Sequence, residues 1–81
     1  MLVLFKLETG YVGEACQEVY EFDNDTSDET LDEYGQELAY DNARMYGRDN
    51  DEDLENVSHS WEKLNMTREE AEEEYGSVCE A

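Results

Sequence analysis

What most limits this chain is a scarcity of core-forming residues set against a large excess of like charge. Leu, Val and Phe total 14 residues, and Ile is absent. Against them stand 24 Asp and Glu and only five Lys and Arg, a net charge of −19. A branched-aliphatic and Phe content of about 17% lies under the level at which high net charge usually means disorder. Six Tyr, one Trp and three Met answer that deficit, because each buries a large apolar area. The expectation is one small acidic domain spanning residues 1–81, with an aromatic core that includes Tyr20, Tyr34 and Trp61.

The same charge narrows the function classes. Direct binding of DNA or RNA needs Lys and Arg to replace counterions, and an anionic membrane surface makes the same demand. Basic proteins or cations are the partners such a surface attracts. No stretch reaches the roughly 18 apolar residues of a membrane span. Met1–Leu7 is too short for a signal-peptide core with its cleavage site, so a cytoplasmic location is expected. Cys16 and Cys79 do not make a disulfide framework and are expected as free thiols.

Hydrophobic patterning divides the chain into five elements. "MLVLFKL" reads as a first strand buried on at least one face. Glu8–Gly10 forms a turn, and "YVGEACQEVYEF" returns as a second strand with a bulge at Gly13. Tyr20 and Phe22 are assigned to the core, with Val19 competing for that face. Ser27–Gly47 reads as a helix with Asp25, Thr26 or Ser27 as N-cap and Gly47 as the stop. Leu31, Tyr34, Leu38, Asn42 and Met45 form its inner face. Gly35 sits on that face and costs about 1 kcal/mol relative to Ala, which points to close packing against a strand. "RDNDEDLENVS" is a polar connection, expected to be mobile. "VSHSWEKL" is a third strand, and Thr67 with Glu70 forms a capping box before a short last helix. The predicted fold is α+β in the order β-β-α-β-α. A three-stranded antiparallel sheet carries one long helix across it and a short C-terminal helix.

Catalytic and metal chemistry finds little support. An EF-hand loop starting at Asp23 would place Asp28 and Tyr34 where Gly and Glu are required, and one starting at Asp49 would place Leu54 and Ser60 there. Only loose divalent-cation association at Asp49–Asp53 survives as an alternative. A zinc site would have to combine His59 with Cys16, Cys79 and a carboxylate, without a close ligand pair. No P-loop, dinucleotide-binding glycine motif or serine nucleophile elbow is present. No catalytic residue and no cofactor is assigned, and the expectation is a protein that is not an enzyme.

The carboxylates have a pattern of their own. Glu29, Glu33, Glu37 and Asp41 recur every four residues, a spacing that opposes helix formation. They fall about 6 Å apart along the helix axis, against about 3.4 Å per phosphate in one DNA strand. Asp28 and Asp32 raise the count to six acids over about 20 Å, close to the density of a single strand. Glu29, Glu33, Glu37 and Asp41 are the first candidates for partner contact. Asp49, Asp51 and Asp53 in the connection, and Glu69, Glu70 and Glu73 in the last helix, are the second set. Tyr40 is expected to be exposed among them as an anchor, since exposed Tyr offers large contact area at low entropy cost. This pattern suits a DNA-mimicking inhibitor that occupies the basic groove of a nucleic-acid-binding protein. Adaptation to high salt is the alternative, and the low lysine count (Lys6 and Lys63) fits it.

"GYVGEACQEVYEF", the helix "DETLDEYGQELAYDNARMYG" and the late tryptophan of "SHSWEKL" together resemble small acidic proteins encoded by tailed bacteriophages. The resemblance covers about two thirds of the chain. It implies counter-defence in an infected bacterial host, through DNA mimicry that blocks restriction enzymes, CRISPR effectors or nucleases. It carries over no site residues.

Overall fold

A computed structural model describes residues 1–81. The order is β1 (Leu2–Glu8), β2 (Cys16–Glu21), α1 (Asp28–Met45), α2 (Asp51–Leu54), β3 (Ser58–Leu64), α3 (Arg68–Tyr75) and β4 (Val78–Glu80). The α+β class is as expected, but the sheet has four strands in the order β3-β1-β2-β4 and is mixed. β1 runs antiparallel to both β2 and β3, whereas β4 pairs parallel to β2.

That topology explains where the helices lie. The connection from β2 to β3 crosses β1 in one direction, and the connection from β3 to β4 crosses back in the other. Crossovers of one hand that run in opposite directions place their helices on opposite faces of the sheet. α1 and α3 do occupy opposite faces, so the molecule has three layers. β1 shows why its sequence is nearly all apolar. Val3, Phe5 and Leu7 pack with Leu31 and Ala39 of α1, while Leu2 and Leu4 pack with Val19 and Ala71 of α3. A central strand covered on both faces has no solvent side on which to alternate.

The aromatic residues join the first of these layers. The Phe5 ring lies 5.9 Å from Tyr20 and 5.8 Å from Tyr34, and Phe22 meets Tyr34 at 5.1 Å. Tyr20, Tyr34 and Trp61 are half-buried around fully buried Phe5, so they wall the core rather than fill it. Val19 does not compete with Tyr20, because it points into the other layer.

Local signals hold at the helix ends. Ser27 is the N-cap of α1, its Oγ accepting from the Thr30 N–H at 3.2 Å, and Gly47 follows with φ +77. Thr67 and Glu70 form the capping box of α3. Gly35 is buried against β3: a Cβ there would lie 2.5 Å from His59 Cδ2.

Four expectations need correction. Met45 is not part of the inner face of α1 and is 80% exposed; Ala39 and Ala43 are buried in that face instead. The second strand begins at Cys16, and Gly13 lies in a turn at φ +85 rather than in a bulge. The polar connection contains a capped helical turn, α2, in which Asn50 accepts from the Asp53 N–H at 2.8 Å. A fourth strand follows the last helix, held beside β2 by Arg68. That guanidinium reaches Glu21 at 2.7 Å, Glu72 at 3.3 Å and the Val78 carbonyl at 3.2 Å.

Candidate binding surface

The α1 acids stand on the helix surface turned away from the sheet. Leu31, Gly35, Ala39 and Asn42 are buried beneath, which fixes the rotation of the helix, and Glu29, Glu33, Glu37 and Asp41 are all exposed. Glu29, Glu33 and Glu37 have no hydrogen-bond or ion-pair partner, whereas Asp41 pairs with Arg44 at 3.2 Å. Nor is the row straight. Each step of four overshoots a full turn by roughly 40°, so three steps swing the row about 120° around the axis. Glu29 leans toward the β3 side, where Asp28 and Asp32 lie. Asp41 leans toward the β2 side, beside Cys16, Tyr20 and Leu38.

The two flanking acids are engaged locally. Asp28 pairs with Lys63 at 3.1 Å, and the Asp32 carboxylate accepts the Trp61 indole N–H. Both remain exposed. They tie α1 to β3 and keep their charge at the surface. Tyr40 is half-buried, contrary to its expected exposure, because Arg44 lies over its ring and the Gln36 amide donates to its hydroxyl.

The second set of acids divides. Asp49, before α2, and Asp51, its first residue, are exposed. Asp53 is half-buried and accepts the Tyr11 hydroxyl at 2.9 Å. This hydrogen bond, ahead of the carboxylate charge itself, raises the Tyr11 phenol above its ordinary value. Arg48 lies 3.7 Å over the same ring and donates to Glu14 at 3.0 Å. Asn42 donates to the Glu14 carbonyl at 3.2 Å. This cluster clamps the β1–β2 loop to the end of α1. Arg44 in the last turn of α1 and Arg48 just beyond it separate the α1 row from the α2 acids along the chain. Arg48 is legible in the sequence only as a charge suited to the helix end, and its coupling to Tyr11 and Glu14 is not, since nothing local links positions more than 30 residues apart.

The α3 acids form a separate surface. Glu69 and Glu73 are exposed on the opposite layer of the molecule from α1. Glu70 sits beside them, but its carboxylate accepts from the Thr67 N–H at 3.2 Å and its hydroxyl at 3.1 Å. A single flat partner cannot contact the outer faces of α1 and α3 together.

The metal alternatives meet geometry that separates their ligands. Cys79 pairs across the sheet with Tyr20, four residues along β2 from Cys16, which is about 13 Å of strand. His59 and Cys16 flank Leu7 on either side, two strand spacings or about 10 Å apart. No group of three or more His, Cys, Asp or Glu side chains is arranged to hold an ion. Both thiols are free, and burial followed by the nearby Glu18 charge pushes Cys16 above the ordinary thiol range. No helix is long and apolar enough to cross a membrane. No protein-family model matches the chain, nor does any curated protein or solved structure.

Proposed function

We propose that this chain is a non-catalytic acidic inhibitor that covers the basic nucleic-acid-binding surface of a DNA-processing or host-defence protein, of the restriction or CRISPR type. The observation that carries the reading is the unpaired, exposed trio Glu29, Glu33 and Glu37 on a helix whose rotation is fixed by buried Leu31, Gly35 and Ala39. The packed helix fixes the backbone spacing of these carboxylates, and a net charge of −19 steers the chain toward a basic groove. Asp28 and Asp32 extend the trio toward β3. The likeness to acidic phage proteins supports counter-defence as the setting. The outer face of α1 is the contact surface in this reading. The α2 acids extend it beyond the two arginines, and Glu69 and Glu73 contribute only to the long-range field.

Charge reversal at Glu33→Lys and Glu37→Lys tests the reading. Both sites are exposed, so the variant keeps its circular dichroism spectrum and loses inhibition of nucleic-acid binding by the partner. Undiminished inhibition by the folded variant refutes α1 as the contact.

A further inference from the structure

β3 is an edge strand whose outer side is open. The direction of its peptide groups follows from the start of the chain. The Met1 amine donates to the Phe22 carbonyl at 2.9 Å, and the Phe22 N–H donates to the Met1 carbonyl at 2.8 Å. In an antiparallel pair such exchanges recur at alternate residues. Odd-numbered residues along β1 therefore direct their peptide groups to β2, and even-numbered ones direct theirs to β3. By the β1–β3 register, Ser58, Ser60, Glu62 and Leu64 bond to β1. His59, Trp61 and Lys63 turn their N–H and C=O groups outward. No hydrogen bond outside the ladder reaches those groups.

Edge strands are ordinarily blunted by brevity, proline, a bulge, a covering element or charged side chains, and of these β3 has only the charges of Glu62 and Lys63. β3 has seven residues in unbroken register with β1, and the chain contains no proline. The opposite edge is blunted: β4 has three residues, and Arg68 binds its Val78 carbonyl. Only β3 offers a row of free peptide groups long enough to template another strand.

We propose that β3 accepts an extended basic segment of the partner protein as a fifth strand. Charge identifies the occupant. Side chains of an added strand opposite Trp61 and Lys63 would lie on the α1 side, next to Asp28, which pairs with Lys63, and Asp32, which accepts the Trp61 indole N–H. Those opposite Ser60 and Glu62 would lie on the other side, next to Glu62. Lys or Arg is favoured opposite Trp61 and Glu62, whereas Lys63 disfavours a cation directly across from it. A second copy is disfavoured, because each chain carries −19. Backbone pairing supplies affinity, and the flanking carboxylates supply selectivity. The proposal rests on the inhibitor reading for the nature of the partner, and it adds a mode of contact that the α1 row does not require.

Amide hydrogen exchange on the full chain tests it, with a nine-residue peptide of alternating Lys and Val as the probe. The amides of His59, Trp61 and Lys63 exchange quickly in the free protein and slow by about tenfold or more with peptide bound. A peptide of equal charge, N-methylated at alternate residues to remove its own donors, fails to protect them. Lys63→Pro removes one outward N–H at a position where an edge strand tolerates proline, and it weakens peptide binding by about tenfold. Lys63→Ala does not weaken it. The proposal is overturned if the peptide does not bind or leaves those three amides unprotected. Equal binding of the N-methylated peptide also overturns it, as does protection that rises with protein concentration alone. The exchange data keep the test decisive should Lys63→Pro fail to fold. Unprotected amides alongside loss of inhibition in Glu33→Lys/Glu37→Lys defeat the edge proposal alone. Protected amides alongside full inhibition by that variant defeat the α1 reading alone.

Discussion

Replacing Gly35 with Ala sets two opposing effects against each other at one atom. An added Cβ would lie 2.5 Å from His59 Cδ2 and 3.2 Å from both Cγ and Nε2, closer than carbon atoms can pack. The His59 ring must move or α1 must lift from β3, and overpacking of this kind costs about 1–3 kcal/mol. Ala in place of Gly in a helix interior returns about 1 kcal/mol. The net expectation is destabilisation by about 1 kcal/mol, read by urea unfolding, and a fall in Tm of roughly 4–8 °C. In a His59→Ala background the clash is gone, so Gly35→Ala stabilises by about 1 kcal/mol. The change of sign across the double-mutant cycle is the diagnostic result. Stabilisation of the parent protein by Gly35→Ala, equal to that in the His59→Ala background, would refute the contact that seats the acidic helix.

Other expectations follow from the same geometry. Thr67→Ala removes the cap of α3 and lowers stability by about 1 kcal/mol in denaturant unfolding. Arg68→Ala speeds amide exchange in β4, because Glu21, Glu72 and the Val78 carbonyl lose their common donor. Burial, followed by the Glu18 charge, raises the Tyr20 phenol above its ordinary 10.0, and burial raises Tyr34 likewise. The folded state holds these protons more tightly than the unfolded chain. Their contribution is therefore complete below pH 10 and is lost as pH rises beyond it. Tyr20→Phe shifts the alkaline unfolding midpoint upward. An alkylating agent modifies exposed Cys79 before half-buried Cys16 in mass spectrometry. Circular dichroism in low salt shows the full fold, whereas a chain adapted to high salt would unfold there.

Signals confined to a few neighbouring residues were readable from the sequence. Ser27 and Gly47 bound α1, Thr67 and Glu70 begin α3, and Gly35 marks the close approach to β3. What was not readable depends on partners distant in the chain. β4 contains one apolar residue, Val78, and exists because β2 and Arg68 hold it. The run "MLVLFKL" carries buried residues on both faces, but it does not say which helix covers the second. Met45 follows Leu31 by two heptads, over which a straight helix drifts about 40°, and that rotation carries it off the sheet. Among the candidate acids, position on the α1 surface could be inferred from helical period. Glu70 closes its own cap, and Asp53 holds Tyr11. The division of the charge between two layers followed from topology.

Competition separates occlusion of the nucleic-acid site from binding elsewhere on the partner. A basic nucleic-acid-binding protein captured on this chain is titrated with duplex DNA while both bound species are measured. Mutual exclusion is expected: DNA displaces the acidic chain, each ligand lowers the apparent affinity of the other, and both weaken with salt. A stable ternary complex, with DNA affinity unchanged by saturating acidic protein, would contradict it.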